Sequence, residues 1–236
     1  MITTAFPEKG ALILQRTRPP LLETPFEVFD ESVFTPNDRF YVRWHWAGIP
    51  EQVDVTTFRL TVHGHVNQNL SLTLDDLQAL PVVELAAINQ CSGNSRGYFQ
   101  PRVPGAQWSH GAMGNARWTG VRLKDVLDRA GVKAGAVQVR FNGMDDPLVP
   151  DAPDFMKSLS VDHARDGEVM LAYAMNGEQL PLLNGFPLPP HRARLVLHLL
   201  GQNTKRRRGA GPAGYELLDE DGLHDPGHAT REHPVG

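Results

Sequence analysis

Cysteine is almost absent from these 236 residues: Cys91 stands alone, which excludes an internal disulfide framework and leaves no cysteine-based sign of an oxidising compartment. Long apolar runs are missing as well. No segment approaches the roughly 18 consecutive apolar residues that a membrane-spanning helix needs. Charge of one sign is in no excess: 23 Lys+Arg stand against 27 Asp+Glu, for a formal net charge of −4 and a pI near 6.2. Electrostatics therefore gives no reason to expect nucleic acid or an anionic membrane as partner. The opening residues, Met1 to Lys9, carry no charged region followed by an apolar core, so no signal peptide is expected and the chain as written reads as cytoplasmic. No internal repeat is apparent. What is present is a 41% hydrophobic fraction, enough to build a core in one large domain or two small ones.

The single thiol sits in a telling place. Pro81 to Ile88 reads as an apolar strand ending at Cys91, and Ser92, Gly93, Asn94 and Ser95 supply turn chemistry and free backbone N–H groups before Arg96. A thiolate is the form of cysteine that attacks carbon or binds metal, and this loop offers N–H dipoles and a guanidinium to accompany a negative sulfur. The alternative is a lone cysteine packed as a small hydrophobe.

The rest of the chain alternates short patterns. Residues 1–36 are proline-rich and read as an extended arm lying over the domain. Arg39 to Trp46 alternates as a half-buried strand, placing Arg39, Tyr41, Arg43 and His45 on one face, a row suited to a phosphate or another oxyanion. Phe58 to Val66 reads as a strand, and His63 and His65 on its face are ordinary surface histidines more readily than metal ligands. Ser71 to Pro81 fits a short helix capped by Thr73, and Arg122 to Ala130 a helix closed by Gly131. Between them runs a long breaker-rich loop carrying Trp108, a packing anchor or a wall beside a reactive centre. Ala136 to Gly143 and Glu168 to Met175 read as strands, the second leading into the hairpin signal Asn176-Gly177. Short strands mixed irregularly with short helices indicate an α+β domain with a mixed sheet.

The segment Gln90-Cys91-Ser92-Gly93-Asn94-Ser95-Arg96 resembles the molybdenum-binding loop of the sulfite oxidase family of molybdopterin enzymes, bacterial sulfite dehydrogenases in particular. Thr35 to His45 is similar to that family's pterin-contacting N-terminal motif, and Asn115 to Leu123 and Leu171 to Pro181 are further family-like segments in the expected order. The match covers residues 6–188. The resemblance implies the sulfite-oxidase-type fold, molybdenum held by molybdopterin, and oxidation of sulfite, or a related sulfur oxyanion or oxide, to sulfate. It further implies electrons passed to a haem or cytochrome acceptor. It assigns Cys91 to the metal, and Arg43, His45, Asp145 and Asn184 to the cofactor, with Asn184 standing where animal relatives have histidine. Arg96, Arg43 and His45 become candidates for drawing in the anion, with Trp108 as a wall. Relatives of this family are often periplasmic.

At Leu188 the resemblance stops. The family would continue with an arginine, an apolar strand, a Pro-Gly turn followed by aromatics, and a lysine; this chain has Pro189 to Arg194 and then the basic run Lys205 to Arg208. Back-translation with one base removed after Leu188 can spell RLIVPGWYSTYWVKTLNDVEVLDQP, the family's expected continuation. Residues 189–236 are therefore expected to be out-of-frame text, natural or from sequencing, and the basic run an accident of codons. Residues 1–188 would form the molybdopterin-binding domain. The tail would be largely disordered and contribute no sheet strand, its only sizeable apolar cluster being Leu195 to Leu200. The family's phosphate-holding arginine and lysine, its substrate-side tyrosine and its C-terminal dimerisation domain would then be missing. Two other readings stay open: a truncated remnant that binds cofactor poorly, and a cysteine hydrolase pairing Cys91 with His110 or His163 as base. The frame reading makes a sharp prediction: the nucleotide sequence, read one base later from the Pro189 codon, spells the text given above. A gene that encodes that text in no frame rules the shift out.

Overall fold

Apolar residues in short alternating runs, punctuated by glycine and proline, build three small sheets. The computed structural model describes residues 2–3, 6–144, 149, 151, 155–188 and 194–201. In chain order these form β1 (Ile2–Thr3), β2 (Leu12–Arg16), β3 (Leu21–Glu23), helix α1 (Val28–Glu31) and β4 (Val42–Arg43). Next come β5 (Arg59–Gly64), β6 (Leu70–Leu72), α2 (Leu74–Gln78), β7 (Val82–Gln90), β8 (Met113–Arg122) and α3 (Leu123–Ala130). The last stretch gives β9 (Ala136–Asn142), β10 (Met156–Ser160), α4 (Val161–Arg165), β11 (Met170–Met175), β12 (Glu178–Gln179) and β13 (Arg194–Gly201). The sheets run β1-β2-β3-β4, β10-β9-β13-β5-β6 and β12-β11-β8-β7, and in the five-stranded one β13 lies parallel to β5 and antiparallel to β9. The fold is α+β with a mixed sheet. No helix among the described residues is long and apolar enough to cross a membrane.

Local chemistry accounts for the element ends. Thr73 accepts from the Asp76 amide and Asp76 reaches back to the Thr73 amide, a reciprocal capping box that starts α2. α3 buries Leu123, Val126, Leu127 and Ala130, a stripe at helical spacing, and closes on Gly131 in the left-handed region. That stripe packs with Phe58, Leu60 and Val62 beside β5, with Leu77 of α2 and with Ala164 of α4 in the main core. At the β11–β12 hairpin Asn176 and Gly177 both have positive φ, as a tight two-residue turn requires.

Four sequence expectations are corrected. The N-terminal segment expected as an extended arm over the domain forms sheet instead: Leu12, Leu21 and Leu22 are buried, and β2 and β3 pair beside β4. The strand expected over 39–46 shrinks to Val42–Arg43, because the carbonyls of Arg39, Phe40 and Tyr41 are taken by the Thr24, Lys9 and Asn184 side chains rather than by a neighbouring strand. β7 looks buried in sequence but is an edge strand with Val82 and Ile88 well exposed, since only one of its faces is covered. Finally, a strand exists beyond Leu188. Arg194–Gly201 sits between β5 and β9, where a near-continuous apolar run suits a strand with neighbours on both edges. The rest of the tail expected to be disordered lies outside the described residues.

Packing sets the energetic scale, since truncating a fully buried leucine removes its transfer energy and leaves a cavity. Leu127→Ala is expected to cost about 2–5 kcal/mol and Thr73→Ala about 1 kcal/mol. Urea unfolding checks both. Equal midpoints for the two variants would contradict the placement of α3 in the core.

Candidate functional site

β7 delivers Cys91 to the end of its run, and a returning segment fixes the loop that follows. The Cys91 amide donates to the Ala112 carbonyl at 2.9 Å, the Ser95 amide to Ser109 at 2.6 Å, and the Gly97 amide to Trp108 at 2.9 Å. Asn94 ties the two lines together, its Oδ1 accepting from the Ala112 amide and its Nδ2 donating to the His110 carbonyl. Ser95 takes a left-handed conformation at φ 67°, which turns Arg96 back over the loop. Cys91 Sγ accepts from the Gly93 amide at 3.4 Å. The Arg96 guanidinium lies in a slot between Gly93 and Gly105: a Cβ on Gly93 would stand 2.8 Å from its Cζ, and one on Gly105 would collide with its Nη1. Any larger residue at either position displaces the cation.

The thiol opens on a cavity of about 760 Å³. Arg16, Arg43, Arg96 and Lys157 reach its wall together with His45, and no aspartate or glutamate among the described residues does. In a chain with more acids than bases, this is a strong local separation of charge, and it favours an anion. Phe40, Tyr41, Trp44, Trp108 and Trp118 give the cavity flat apolar sides. Arg43 Nη2 lies 3.4 Å from His45 Nδ1. A guanidinium only donates, so a hydrogen bond across this contact runs from Arg43 to His45. A second cavity, of about 520 Å³, has the opposite character, with Glu8, Asp38 and Glu178 and no cation among the described residues of its lining.

The structure gathers Cys91, Arg43, His45, Arg96, Trp108 and Asn184 around the first cavity. Asp145 lies outside the described residues. Trp108 is 1% exposed, so it is both packing anchor and wall. Arg39, grouped with Arg43 by alternation, lies instead against Gly10. His110 stacks on Tyr98 and shares a 2.8 Å contact with Ser95 Oγ, His163 pairs with Asp166 on α4, and neither lines the cavity of Cys91. The hydrolase alternative therefore has neither of its proposed bases in the thiol's cavity. Sequence reasoning missed Arg16, Phe155 and Lys157, and gave Asn89 no role of its own. Lys157 and Phe155 stand in no motif, and only the tertiary fold brings them to the cavity.

Two buried groups brace the motif strand. Lys9, 7% exposed, donates to the Asn37 carbonyl at 2.7 Å, to the Phe40 carbonyl at 3.3 Å and to Asn184 Oδ1, while Asn184 Nδ2 donates to the Tyr41 carbonyl at 3.0 Å. Burial lowers the Lys9 pKa to about 8, against the opposing pull of Glu8 and Asp38. Tyr41 donates its hydroxyl to Asn89 Oδ1. Burial, then the charge of Cys91, pushes its pKa well up, so it stays a phenol. Trp44 Nε1 closes the brace on the Leu183 carbonyl at 3.0 Å.

This fold, with a thiol beside a cationic, aromatic-walled cavity, defines a molybdopterin-binding oxidoreductase domain. The family model described as "Oxidoreductase molybdopterin binding domain" matches residues 46–198. The chain is 40% identical over 185 residues to mitochondrial sulfite oxidase of Rattus norvegicus, covering 75% of this chain and 33% of that protein. It is 32% identical over 193 residues to sulfite oxidase of Arabidopsis thaliana, covering 77% and 49%. Among solved structures, the sulfane dehydrogenase SoxCD from Paracoccus pantotrophus superposes with a TM-score of 0.64 at 25% identity, over 79% of this chain and 49% of that one. The chain belongs to the sulfite oxidase family of molybdopterin oxidoreductases, and it spans about a third to a half of the length of these relatives. Its residues fit the cofactor: a soft sulfur donor suits the metal, aromatic walls suit a flat pterin, and cations without carboxylates suit its phosphate.

Lys9 carries the site's pH prediction. Its unfolded pKa is near 10.5 and its folded pKa about 8, so between these values the unfolded chain binds more protons and stability rises with pH. The stability difference between wild type and Lys9→Met is therefore expected to move in favour of wild type from pH 8 to pH 10. Urea titrations at pH 7, 8, 9 and 10 read it. A flat difference would show that Lys9 is not buried as a cation.

Proposed function

We propose that this chain is the catalytic domain of a molybdenum-dependent enzyme that oxidises sulfite, or a related sulfur oxyanion or oxide, to sulfate and passes the electrons to a cytochrome or other haem acceptor. The observation that carries the reading is Cys91 on a cavity whose described lining holds four arginine and lysine side chains and no carboxylate. Cys91 would hold the metal, and Arg43, His45 and Asn184 the pterin, with Asp145 assigned by resemblance. When bound, the cofactor supplies the two-electron oxidation, and the protein fixes its ligation and environment. Arg96, held in its glycine slot, and Arg43 present N–H donors to a small oxyanion. Trp108 keeps water from that side. Tyr41, kept protonated by burial, donates to Asn89 and so leaves Cys91 without a second fixed anion beside it.

A second reading rests on the text past Leu188, where the family's arginine, lysine and tyrosine are replaced. On that reading the chain is a remnant that retains cofactor poorly. One experiment separates the two. Purified wild type is expected to contain molybdenum and pterin in near-equal amounts, and Cys91→Ser about tenfold less or none, because the thiolate is the protein's metal ligand. Equal molybdenum in wild type and variant removes Cys91 from the metal. No molybdenum in either supports the remnant.

A further inference from the structure

Phe155, just before β10, gathers charge in an unexpected way. The His45 ring stacks on it with centroids 4.2 Å apart and planes at 20°, Arg43 Cζ stands 5.5 Å from its centroid, and Lys157 Nζ stands 5.1 Å from it. Strand geometry explains the last contact, since residues 155 and 157 project to the same side of an extended chain. The electron-rich face of the ring attracts cations and lets two of them share one platform. Arg43 and Lys157 on one ring still repel one another, and the cavity's described lining holds no carboxylate. A pair of cations in such a lining favours an anion.

We propose that Lys157 is a further anion-binding residue of the cavity, and that Phe155 is the positioning residue that directs Lys157, Arg43 and His45 at one oxyanion of sulfur or phosphorus. The inference rests on the function proposed above and deepens it. The chemistry is that of a doubly charged oxyanion, and two sources supply one: the substrate, or the phosphate of the pterin. An ammonium on a flexible stem accepts either.

Isothermal titration of the purified chain with sulfate and with inorganic phosphate at low ionic strength tests it without requiring turnover. Lys157→Gln is expected to weaken binding about tenfold, one charge-assisted contact, and Lys157→Arg to restore most of it. Phe155→Leu is expected to weaken binding similarly with an unchanged Tm, and Phe155→Tyr to leave it near wild type. In cofactor-loaded protein, loss of molybdenum and pterin in Lys157→Gln assigns the contact to the cofactor's phosphate, whereas a raised sulfite KM at full molybdenum content assigns it to the substrate. Wild-type affinity in Lys157→Gln, with Arg96→Ala and Arg43→Ala weakened, overturns this proposal and leaves the proposed function standing. Wild-type affinity in all three, or no anion binding by wild type, overturns both.

Discussion

Everything at the site depends on the pairing of the Cys91 loop with the segment from Trp108 to Ala112. Those backbone hydrogen bonds are made outside any regular strand, yet they fix three things together: the direction of the thiol, the turn at Ser95 that brings Arg96 back, and the indole that closes the wall. The arm then locks the returning segment from outside. Glu23, almost fully buried, accepts from the Gly111 amide at 2.9 Å, and the Thr24 amide donates to the Gly111 carbonyl at 3.1 Å. A buried carboxylate is tolerated there because Gln15 and the amide satisfy both of its oxygens.

Much of this was legible in the sequence, and the pattern of what was not is physical. The helix stripe at Leu123 to Ala130, the cap at Thr73 and the hairpin at Asn176-Gly177 are local codes, in which a few neighbouring residues settle the conformation. The Cys91 loop was legible for the same reason. Lys157 and Phe155 were not, since their meaning comes from Arg43 and His45, more than a hundred positions earlier. Lys9 was hidden in the same way: nothing near it in sequence announces that its ammonium spans Asn37, Phe40 and Asn184. The alternation of residues 39–46 named the correct faces for Arg43 and His45 but overstated the strand, because two residues of ladder are completed by side-chain bonds from elsewhere. The strand at 194–201 was misjudged because composition around the apolar cluster was weighed above the cluster itself.

Charge is partitioned across the domain more finely than its net value suggests. One cavity gathers cations and the other carboxylates, and Lys9 lies between them, feeling Glu8 and Asp38 on one side and bonding Asn184 on the other. A small anion diffusing toward the protein meets an attractive mouth on a surface that is, on average, mildly repulsive, an arrangement that raises discrimination by sign without a large overall charge.

The free side of β7 has a consequence for handling the protein. It is nine residues long, paired among the described residues with β8 on one side only, and shows Val82 and Ile88 to solvent. Unpaired peptide groups along such an edge are a template for another chain. Glu84 stands midway along it, with Arg117 Nε 3.4 Å from one of its oxygens, and a charged side chain at that point interrupts continuous strand addition. A second chain adding a strand along this edge would have to strip water from the Glu84–Arg117 pair before it could close the ladder.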